Sequence, residues 1–239
     1  MAGEPKFYSR NWIDREATLT ATPSSLTATL PKLFDRDKSS TMSAFAVISA
    51  TITAELKAGG LEIFRNIDTI VLLNHTLKDF EIQREVGGVF TTFPGGLFVG
   101  NVQTNTILTF PSESRSKIRI VVTDTQGGVG GFLTVGEWLA LETKFAFATD
   151  KGPSRLTFTP EQVTAVAEMA DRGKKVSLIK WAGDRVERNN FRIGFTLLDK
   201  ADYDSLRGLV RTPRITLYLE PVERVDEFFE GTLTLGGAP

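Results

Sequence analysis

Residues 63–77 constrain the fold of this chain of 239 residues more than any other stretch. The β-branched and aliphatic residues at their centre are Ile67, Ile70, Val71, Leu72 and Leu73. This run is too continuous for a strand with one face in water. It predicts a strand covered on both faces, or a core strand of a β-sandwich. Asn74-His75-Thr76 follows and predicts a polar turn.

Alternating apolar and polar residues predict further strands. In residues 45–56, Ile48, Ala50, Ile52 and Ala54 share one face, and residues 79–85 place Phe80 and Ile82 inward. Further strands are predicted at residues 17–21, 102–110, 117–123 and 132–141, with turns at 111–114 and 124–131. About seven short strands with turn signals between them predict a mainly β fold, an antiparallel sandwich or jelly roll.

The pattern changes after Asp150-Lys151-Gly152-Pro153, so we predict one domain at residues 1–150 and a smaller α+β domain at 151–239. Thr159, Pro160 and Gln162 have the positions of an N-cap, a first helical residue and a capping box. Asp199 caps a second predicted helix. Strands are predicted at 176–181, 191–198, 214–220 and 228–235. If residues 155–158 are also a strand, the order resembles a ferredoxin-like split βαβ unit plus one strand. A β-rich module with two covering helices would have the same order.

Composition excludes several classes of function. The chain has no cysteine, which excludes disulfides, thiolate metal sites and cysteine nucleophiles and fits assembly in a reducing cytoplasm. The net charge is −1, with acidic and basic residues mixed along the chain, so we expect neither nucleic acid nor a membrane as partner. We also expect no secretion signal, and no apolar run approaches the roughly 20 residues of a membrane span.

No motif for catalysis or for binding a metal or cofactor stands out, so we expect no enzyme. His75 is the only histidine, and no Gly-x-Ser-x-Gly motif accompanies it, which favours a turn or interface histidine bonded to a backbone carbonyl. Asp35-Arg36-Asp37 lacks the EF-hand pattern, although an incidental Ca²⁺ site there stays an alternative to surface charge. The acidic residues from Asp199 to Asp204 suit a helix N-terminus. Residues 127–131 do not match a phosphate-binding loop and predict a flexible hairpin loop.

Two further segments are candidate interfaces. Residues 87–98 form a predicted glycine-rich loop whose apolar residues are Phe90, Phe93, Leu97 and Phe98. We expect these four residues to contact other subunits, and a loop folded onto its own core is the alternative. Arg185, Arg188 and Arg192 are interleaved with acidic residues, which favours a charge-mixed protein surface over a nucleic-acid site.

Residues 65–77 resemble a core strand of discoidin-like (galactose-binding-like) jelly-roll domains in structural proteins of tailed bacteriophages. Residues 118–124, followed by 133–137, are similar to the closing hairpin of those domains. Asn11-Trp12-Ile13 and residues 17–21 suit their first strands. The resemblance covers about residues 10–145. More loosely, the second half resembles the C-terminal part of phage tail-tip and minor tail proteins.

This resemblance implies a structural virion protein of the distal tail or baseplate, assembled in the cytoplasm of the bacterial host. Such a protein forms a homo-oligomeric ring and docks to the tube, hub and tip proteins of the tail. The alternative is a carbohydrate-binding module that contacts a glycan on the host surface. A hydrolase with paired carboxylates is a third hypothesis. The loops show no evident aromatic and basic sugar platform, so the resemblance does not transfer ligand binding with the fold.

Overall fold

The computed structural model describes residues 6–9, 11–34, 41–45, 47, 49–129, 131–146, 155–161, 188–194, 204, 215–219 and 227–231. The chain divides into two compact units. Unit 1 comprises Met1–Arg10 and Thr143–Pro239, and unit 2 comprises Asn11–Glu142. In the sequence, unit 2 is therefore an insertion within unit 1. The predicted domain boundary after residue 150 falls outside the described residues and stays a prediction.

The structure is mainly β, as predicted. Its strands, in chain order, are β1 (Lys6–Tyr8), β2 (Ala17–Thr22), β3 (Met42–Phe45), β4 (Ala50–Ala58), β5 (Leu61–Glu62), β6 (Arg65–Leu73), β7 (Leu77–Val86), β8 (Val89–Phe98), β9 (Thr106–Arg115), β10 (Lys117–Thr125), β11 (Phe132–Val135), β12 (Glu137–Leu141), β13 (Thr143–Ala146), β14 (Arg155–Glu161), β15 (Arg188–Gly194), β16 (Ile215–Leu219) and β17 (Glu227–Gly231). A short helix α1 (Trp12–Glu16) and a 3₁₀ helix (Ser24–Leu33) precede β3.

Unit 2 is an antiparallel jelly-roll sandwich, which confirms the predicted fold class. One sheet has the strand order β2-β4-β10-β7-β8, and the facing sheet has the order β12-β6-β9. Apolar residues from both sheets form one buried cluster, among them Ile52, Ile82 and Ile120 from the first sheet and Leu72 and Trp138 from the second. A separate ribbon pairs β3 with β11.

Strand β6 is buried on both faces along its second half, as the continuous apolar run predicts. Thr69, Ile70, Val71, Leu72 and Leu73 are each at most 4% exposed. Ile70 and Leu72 belong to the sandwich core, whereas Thr69, Val71 and Leu73 lie on the opposite face of the sheet because side chains alternate along a strand. A polar residue at position 70 or 72 would therefore place a polar group in the sandwich core and destabilise the fold.

The N-terminal segment of unit 2 is helical, which corrects the predicted first strand at Asn11-Trp12-Ile13. Asn11 caps α1 by accepting a hydrogen bond from the backbone N–H of Ile13 at 3.1 Å. Its side chain also accepts from the N–H of Ala140 at 3.0 Å and donates to the carbonyl of Trp138 at 3.1 Å. One buried amide thus caps the start of the helix and attaches it to β12.

Residues 89–98 form strand β8 rather than the predicted loop. The pairing of β7 with β8 passes from Glu81↔Leu97 to Gln83↔Thr92, so four residues of β8, 93–96, bulge opposite the single residue Ile82. Gly95 has a φ of +73°, and a Cβ on Gly96 would lie 2.7 Å from the carbonyl of Ile82. The residues that suggest a loop therefore build a bulge within an edge strand, where proline is tolerated.

Strand β9 includes Pro111, so the predicted turn at residues 111–114 is wrong. β9 is the edge strand of the β12-β6-β9 sheet. A proline is tolerated there, because the N–H it lacks would point away from the sheet and form no bond to another strand. The predicted hairpin loop at 127–131 is also wrong. The strands it joins, β10 and β11, belong to different sheets. A Cβ on Gly131 would lie 2.8 Å from the Cα of Gly127, so the connection between β10 and β11 requires glycine where its two ends approach each other.

Unit 1 contains one sheet with the order β13-β1-β16-β17 and a separate antiparallel pair, β14 and β15. Thr159, Pro160 and Glu161 of β14 pair with Asn190, Asn189 and Arg188, so the predicted helix start at Thr159 and Pro160 is wrong. The rest of this predicted helix lies outside the described residues. So does the second predicted helix, of which only Asp204 is described, and it is helical. The ferredoxin-like order stays a prediction. In the described part of the chain, no helix is long and apolar enough to cross a membrane.

Candidate functional site at the loop end of the sandwich

The sandwich of unit 2 has two ends. Lys117 of β10 pairs with Glu55, and Thr125 at the other end of β10 pairs with Leu77. We name the first the ion-pair end, and define it by Arg65, Arg84, Glu113, Arg115 and Lys117. The second is the loop end, and it is defined by residues 74–76, 99–105 and 126–129 together with the β3–β11 ribbon.

His75 lies at the loop end and is a structural residue. It is 1% exposed, its Nδ1 accepts the N–H of Leu77 at 3.2 Å, and its Nε2 lies 2.9 Å from the hydroxyl of Thr106. Because Nδ1 is an acceptor, Nε2 carries the proton and donates to Thr106. The predicted turn is present, and Asn74 takes the left-handed conformation there with a φ of 51°. The prediction that the ring bonds to a backbone carbonyl is wrong, because its partners are a hydroxyl and a backbone N–H.

Burial lowers the pKa of His75 to about 4 from its ordinary 6.5. The imidazole is therefore neutral at pH 7, with its edge toward the ring of Phe80 at a centroid distance of 5.6 Å. Both ring nitrogens are engaged with protein groups. The geometry favours a residue that fixes the turn over a general base.

The other candidates for chemistry give no site in the described structure. Asp35-Arg36-Asp37, Asp199 and Asp202 lie outside the described residues, and Asp204 is exposed. Within the ranges described, no group of three or more His, Asp or Glu side chains is placed to hold a metal ion. Arg188 and Arg192 belong to β15, and Arg185 lies outside the described ranges.

The four predicted interface residues separate in the structure. Phe93 is 2% exposed and packs on Phe110 at a ring distance of 4.3 Å. Phe98 stacks on buried Phe80 at 4.5 Å, and Phe90 lies under the guanidinium of Arg119 at 3.9 Å. Leu97 alone among the four is largely exposed, at 61%. Phe93 and Phe98 stabilise the sandwich, and the interface role of the four residues stays a prediction.

An exposed aromatic pair lies at the loop end instead. Phe45 of β3 and Phe132 of β11 face each other across the ribbon, with ring centroids 5.1 Å apart and planes inclined by 55°. They are 65% and 53% exposed. Two large apolar rings side by side in water form a small apolar patch, which makes them a candidate binding surface.

The ribbon that carries the pair has one inner and one outer face. Met42, Leu133 and Val135 are fully buried and belong to the sandwich core. Because side chains alternate, Ser43, Phe45, Phe132 and Thr134 lie together on the outer face. This face has two aromatic rings at one end and two hydroxyl groups beside them.

Thr76 attaches the ribbon to the neighbouring turn. Its hydroxyl donates to the carbonyl of Phe132 at 2.7 Å and accepts from the N–H of Thr134 at 3.0 Å. Its backbone N–H donates to the carbonyl of Thr134 at 3.1 Å. The strand that presents Phe132 is therefore held by a residue of the same turn as His75.

The 99–105 loop is attached to the same turn. The N–H of His75 donates to the carbonyl of Thr104 at 2.8 Å, and the N–H of Asn74 donates to the side chain of Asn105 at 3.0 Å. The Asn101 amide donates to Leu77 and to Gln103. These bonds order the loops before any ligand arrives, which reduces the entropy lost on binding.

The sequence does not reveal the aromatic pair. Phe45 and Phe132 are the first residues of two predicted strands and lie 87 positions apart in the sequence, and only the pairing of β3 with β11 brings them together. The alternation Phe132-Leu133-Thr134-Val135 was the available signal, since it places Phe132 and Thr134 on one face and Leu133 and Val135 on the other.

Comparison with known proteins finds similarity in solved structures only: no family model and no curated protein matches the chain. A chitosan-binding module of a chitosanase/glucanase from Paenibacillus sp. IK-5 is 16% identical, with a TM-score of 0.45, over 56% of this chain and 99% of that chain. A family 32 carbohydrate-binding module from Streptococcus pneumoniae EndoD is 16% identical, with a TM-score of 0.45, over 54% of this chain and 97% of that chain.

A fucosidase is also similar. The GH29 fucosidase of Ruminococcus gnavus is 12% identical, with a TM-score of 0.45, and the match covers 56% of this chain and 26% of the enzyme. The chain thus spans about a quarter of that fucosidase. At such identities and TM-scores, neither a ligand nor an activity transfers to this chain. None of these three is a phage tail protein, and the tail role stays a prediction.

Proposed function

We propose that unit 2 is a carbohydrate-binding module without catalytic activity, and that its ligand stacks on Phe45 and Phe132. The observation that carries the proposal is the exposed aromatic pair at an ordered loop end. Sugar rings have one face of C–H groups and a rim of hydroxyls. An apolar ring pair beside hydroxyl side chains matches both parts of that surface.

The size of the pair agrees with a modest affinity. Covering one face of each ring removes on the order of 100 Å² of apolar surface from water, which contributes about 2–3 kcal/mol before the cost of association. Hydrogen bonds to the rim contribute about 1 kcal/mol each. We expect dissociation constants on the order of 0.1–1 mM for a short oligosaccharide.

The experiment is affinity electrophoresis of the whole chain in gels that contain soluble polysaccharides, preceded by a glycan array. We expect retardation by at least one polysaccharide, and we expect the double variant Phe45→Ala/Phe132→Ala to lose it. Both rings are exposed, so this variant should unfold at nearly the wild-type temperature. The matched control is Phe64→Ala, which removes a ring that is 60% exposed just before β6, at the ion-pair end.

Two results would overturn the proposal. One is the absence of binding to any glycan on the array by a folded wild-type chain. The other is retardation that persists in the double variant but is lost in the Phe64→Ala control, because it would place the glycan at the ion-pair end.

A second candidate is the structural role in a phage tail. We propose it from the resemblance of residues 65–77 and 118–124. The observation in its favour is that unit 2 is inserted in unit 1 between β1 and β13. An insertion is anchored by both of its chain ends, as suits a host-contact module carried by an assembly protein. Light scattering after size exclusion should find a closed ring. A strict monomer at high concentration, without association with tail proteins, would count against this role.

A further inference from the structure

The outer face of the β3–β11 ribbon contains polar groups as well as rings. Ser43 is paired with Thr134. Each lies two residues along its strand from a phenylalanine of the Phe45–Phe132 pair, so both hydroxyls lie on the face that presents the rings. In a strand, residues two apart are separated by about 7 Å, close to the width of one sugar ring. The rim of a sugar ring stacked on the two phenylalanines therefore reaches the hydroxyls of Ser43 and Thr134.

The two hydroxyls differ in their partners. The hydroxyl of Thr134 donates to the hydroxyl of Thr76 at 3.2 Å, so it is already used within the protein. Ser43 is half-buried, and its hydroxyl has no hydrogen-bond partner among the residues described. A hydroxyl beside an aromatic platform that has no partner among the described residues is available to donate to or accept from a ligand.

Charge is absent from this part of the loop end. Residues 74–76, 99–105 and 125–136 contain no Asp, Glu, Lys or Arg, and His75 is neutral because burial lowers its pKa to about 4. The ion pair of Lys78 and Asp124 is closed, with Nζ and Oδ2 2.7 Å apart. The carboxylate of Asp79 is engaged as well, because it accepts the N–H of Gly100 at 2.6 Å. Within these three segments, as far as the structure describes them, a carboxylated or sulfated sugar would find no cation to replace its water, and an aminosugar polymer would find no carboxylate.

Resting on the proposed function, we propose that Ser43 is the specificity-determining residue of the aromatic site and that the ligand is an uncharged saccharide. The sugar ring lies over Phe45 and Phe132 by its C–H face, and one of its rim hydroxyls bonds to the Ser43 side chain. Discrimination arises because a sugar with a hydrogen atom or a bulky group at that rim position leaves Ser43 unbonded or displaced.

The test compares the whole chain and two variants in gels that contain galactomannan (neutral), heparin (anionic) or glycol chitosan (cationic), with an array of neutral oligosaccharides as the second readout. We expect the neutral ligands to bind and the charged ones to bind at least tenfold more weakly. Ser43→Ala should lower the affinity for the neutral ligand about fivefold, the loss of one hydrogen bond. Its unfolding temperature should be unchanged, because the hydroxyl has no bond within the described structure.

The matched control is Ser114→Ala, which removes an exposed hydroxyl at the opposite end of the sandwich. It should leave affinity unchanged. Binding to neutral sugars with equal affinity in Ser43→Ala overturns the role of Ser43 while the proposed function stands. Preference for heparin or glycol chitosan overturns the neutral ligand class. No binding to any of these polymers or arrayed glycans overturns both this inference and the proposed function.

Discussion

The two ends of the unit 2 sandwich are closed by different chemistry. At the ion-pair end, Glu113 contacts Arg84 at 3.0 Å and Arg115 at 2.7 Å, and Arg65 pairs with Glu16 at 2.7 Å. At the loop end, backbone groups, hydroxyls and side-chain amides make the corresponding bonds. Ion pairs predominate at one end. Hydrogen bonds of neutral groups predominate at the other, beside the Lys78–Asp124 ion pair and the Asp79 carboxylate, which accepts the N–H of Gly100 at 2.6 Å.

The difference between the two ends indicates which of them can bind a sugar. The cations of the ion-pair end are already neutralised, and two of them also cover aromatic rings: Arg65 lies 5.2 Å from Trp12, and Arg84 lies 5.1 Å from Phe93. Rings under a guanidinium are not available to a sugar. At the loop end, no guanidinium is described over the Phe45–Phe132 pair, so the rings face water.

Acid should destabilise the loop end first. His75 has a pKa of about 4 in the folded state against 6.5 for the ordinary group. Above pH 6.5 the imidazole is neutral in both states. Between pH 6.5 and 4 the unfolded chain takes up the proton and the folded chain does not, so stability falls as the pH falls. The loss reaches about 3 kcal/mol near pH 4.

Urea denaturation at several pH values checks this prediction, with His75→Gln as the matched variant. Carboxyl groups titrate in the same range in both proteins, so the informative quantity is the difference between the two profiles. We expect the variant to be less stable at pH 7 but less sensitive to pH from 6.5 to 4. Parallel profiles would mean that His75 titrates normally in the fold.

Removing the central carboxylate should weaken the ion-pair end. Glu113→Ala leaves Arg84 and Arg115 facing each other, with side chains only 18% and 24% exposed. We expect a loss of about 2 kcal/mol, below the value for fully buried pairs because water still reaches these groups. Urea denaturation measures the loss, and it should shrink at 1 M salt. Glycan affinity should stay within twofold of the wild type, and a larger fall would mean that the ends are coupled.

The smallest effect on stability is expected from the hydroxyl that holds β11. Thr76→Val keeps the shape of the side chain but removes its bonds to Phe132 and Thr134, and we expect a loss of about 1 kcal/mol. Affinity for the glycan should fall about threefold, because β11 then positions Phe132 less well. Thr76→Ser should restore affinity, and Thr104→Val at the same end is the control. Unchanged affinity in Thr76→Val would show that this hydroxyl does not position the platform.

Much of the sandwich could be predicted from short-range pattern. The continuous run at Ile70, Val71 and Leu72 and the alternation of Phe80 and Ile82 are local consequences of burial, and the structure has both. The failures have local causes as well. Pro94-Gly95-Gly96 and Pro111 have the composition of turns, yet they lie in edge strands, where a bulge and a missing N–H are tolerated.

The candidate site was less predictable because its parts are distant in sequence. Phe45 alone suggests the first residue of a strand, and Phe132 suggests the same. Phe93, which composition grouped with three other residues as a surface, is in the core because the bulge turns it inward onto Phe110. Sequence pattern reports which face a side chain shares with its neighbours, not which strand lies beside it.

The sequence by itself determined that this chain builds antiparallel β-structure around a doubly buried strand, because periodicity and side-chain volume act over a few residues. The tertiary structure alone decided what the surface offers. Strand pairing brought Phe45 and Phe132 together, left Ser43 beside them without a bond among the described residues, and buried His75 away from water. Those outcomes depend on long-range register, which arises from the packing of the whole sandwich and is not encoded in any single segment.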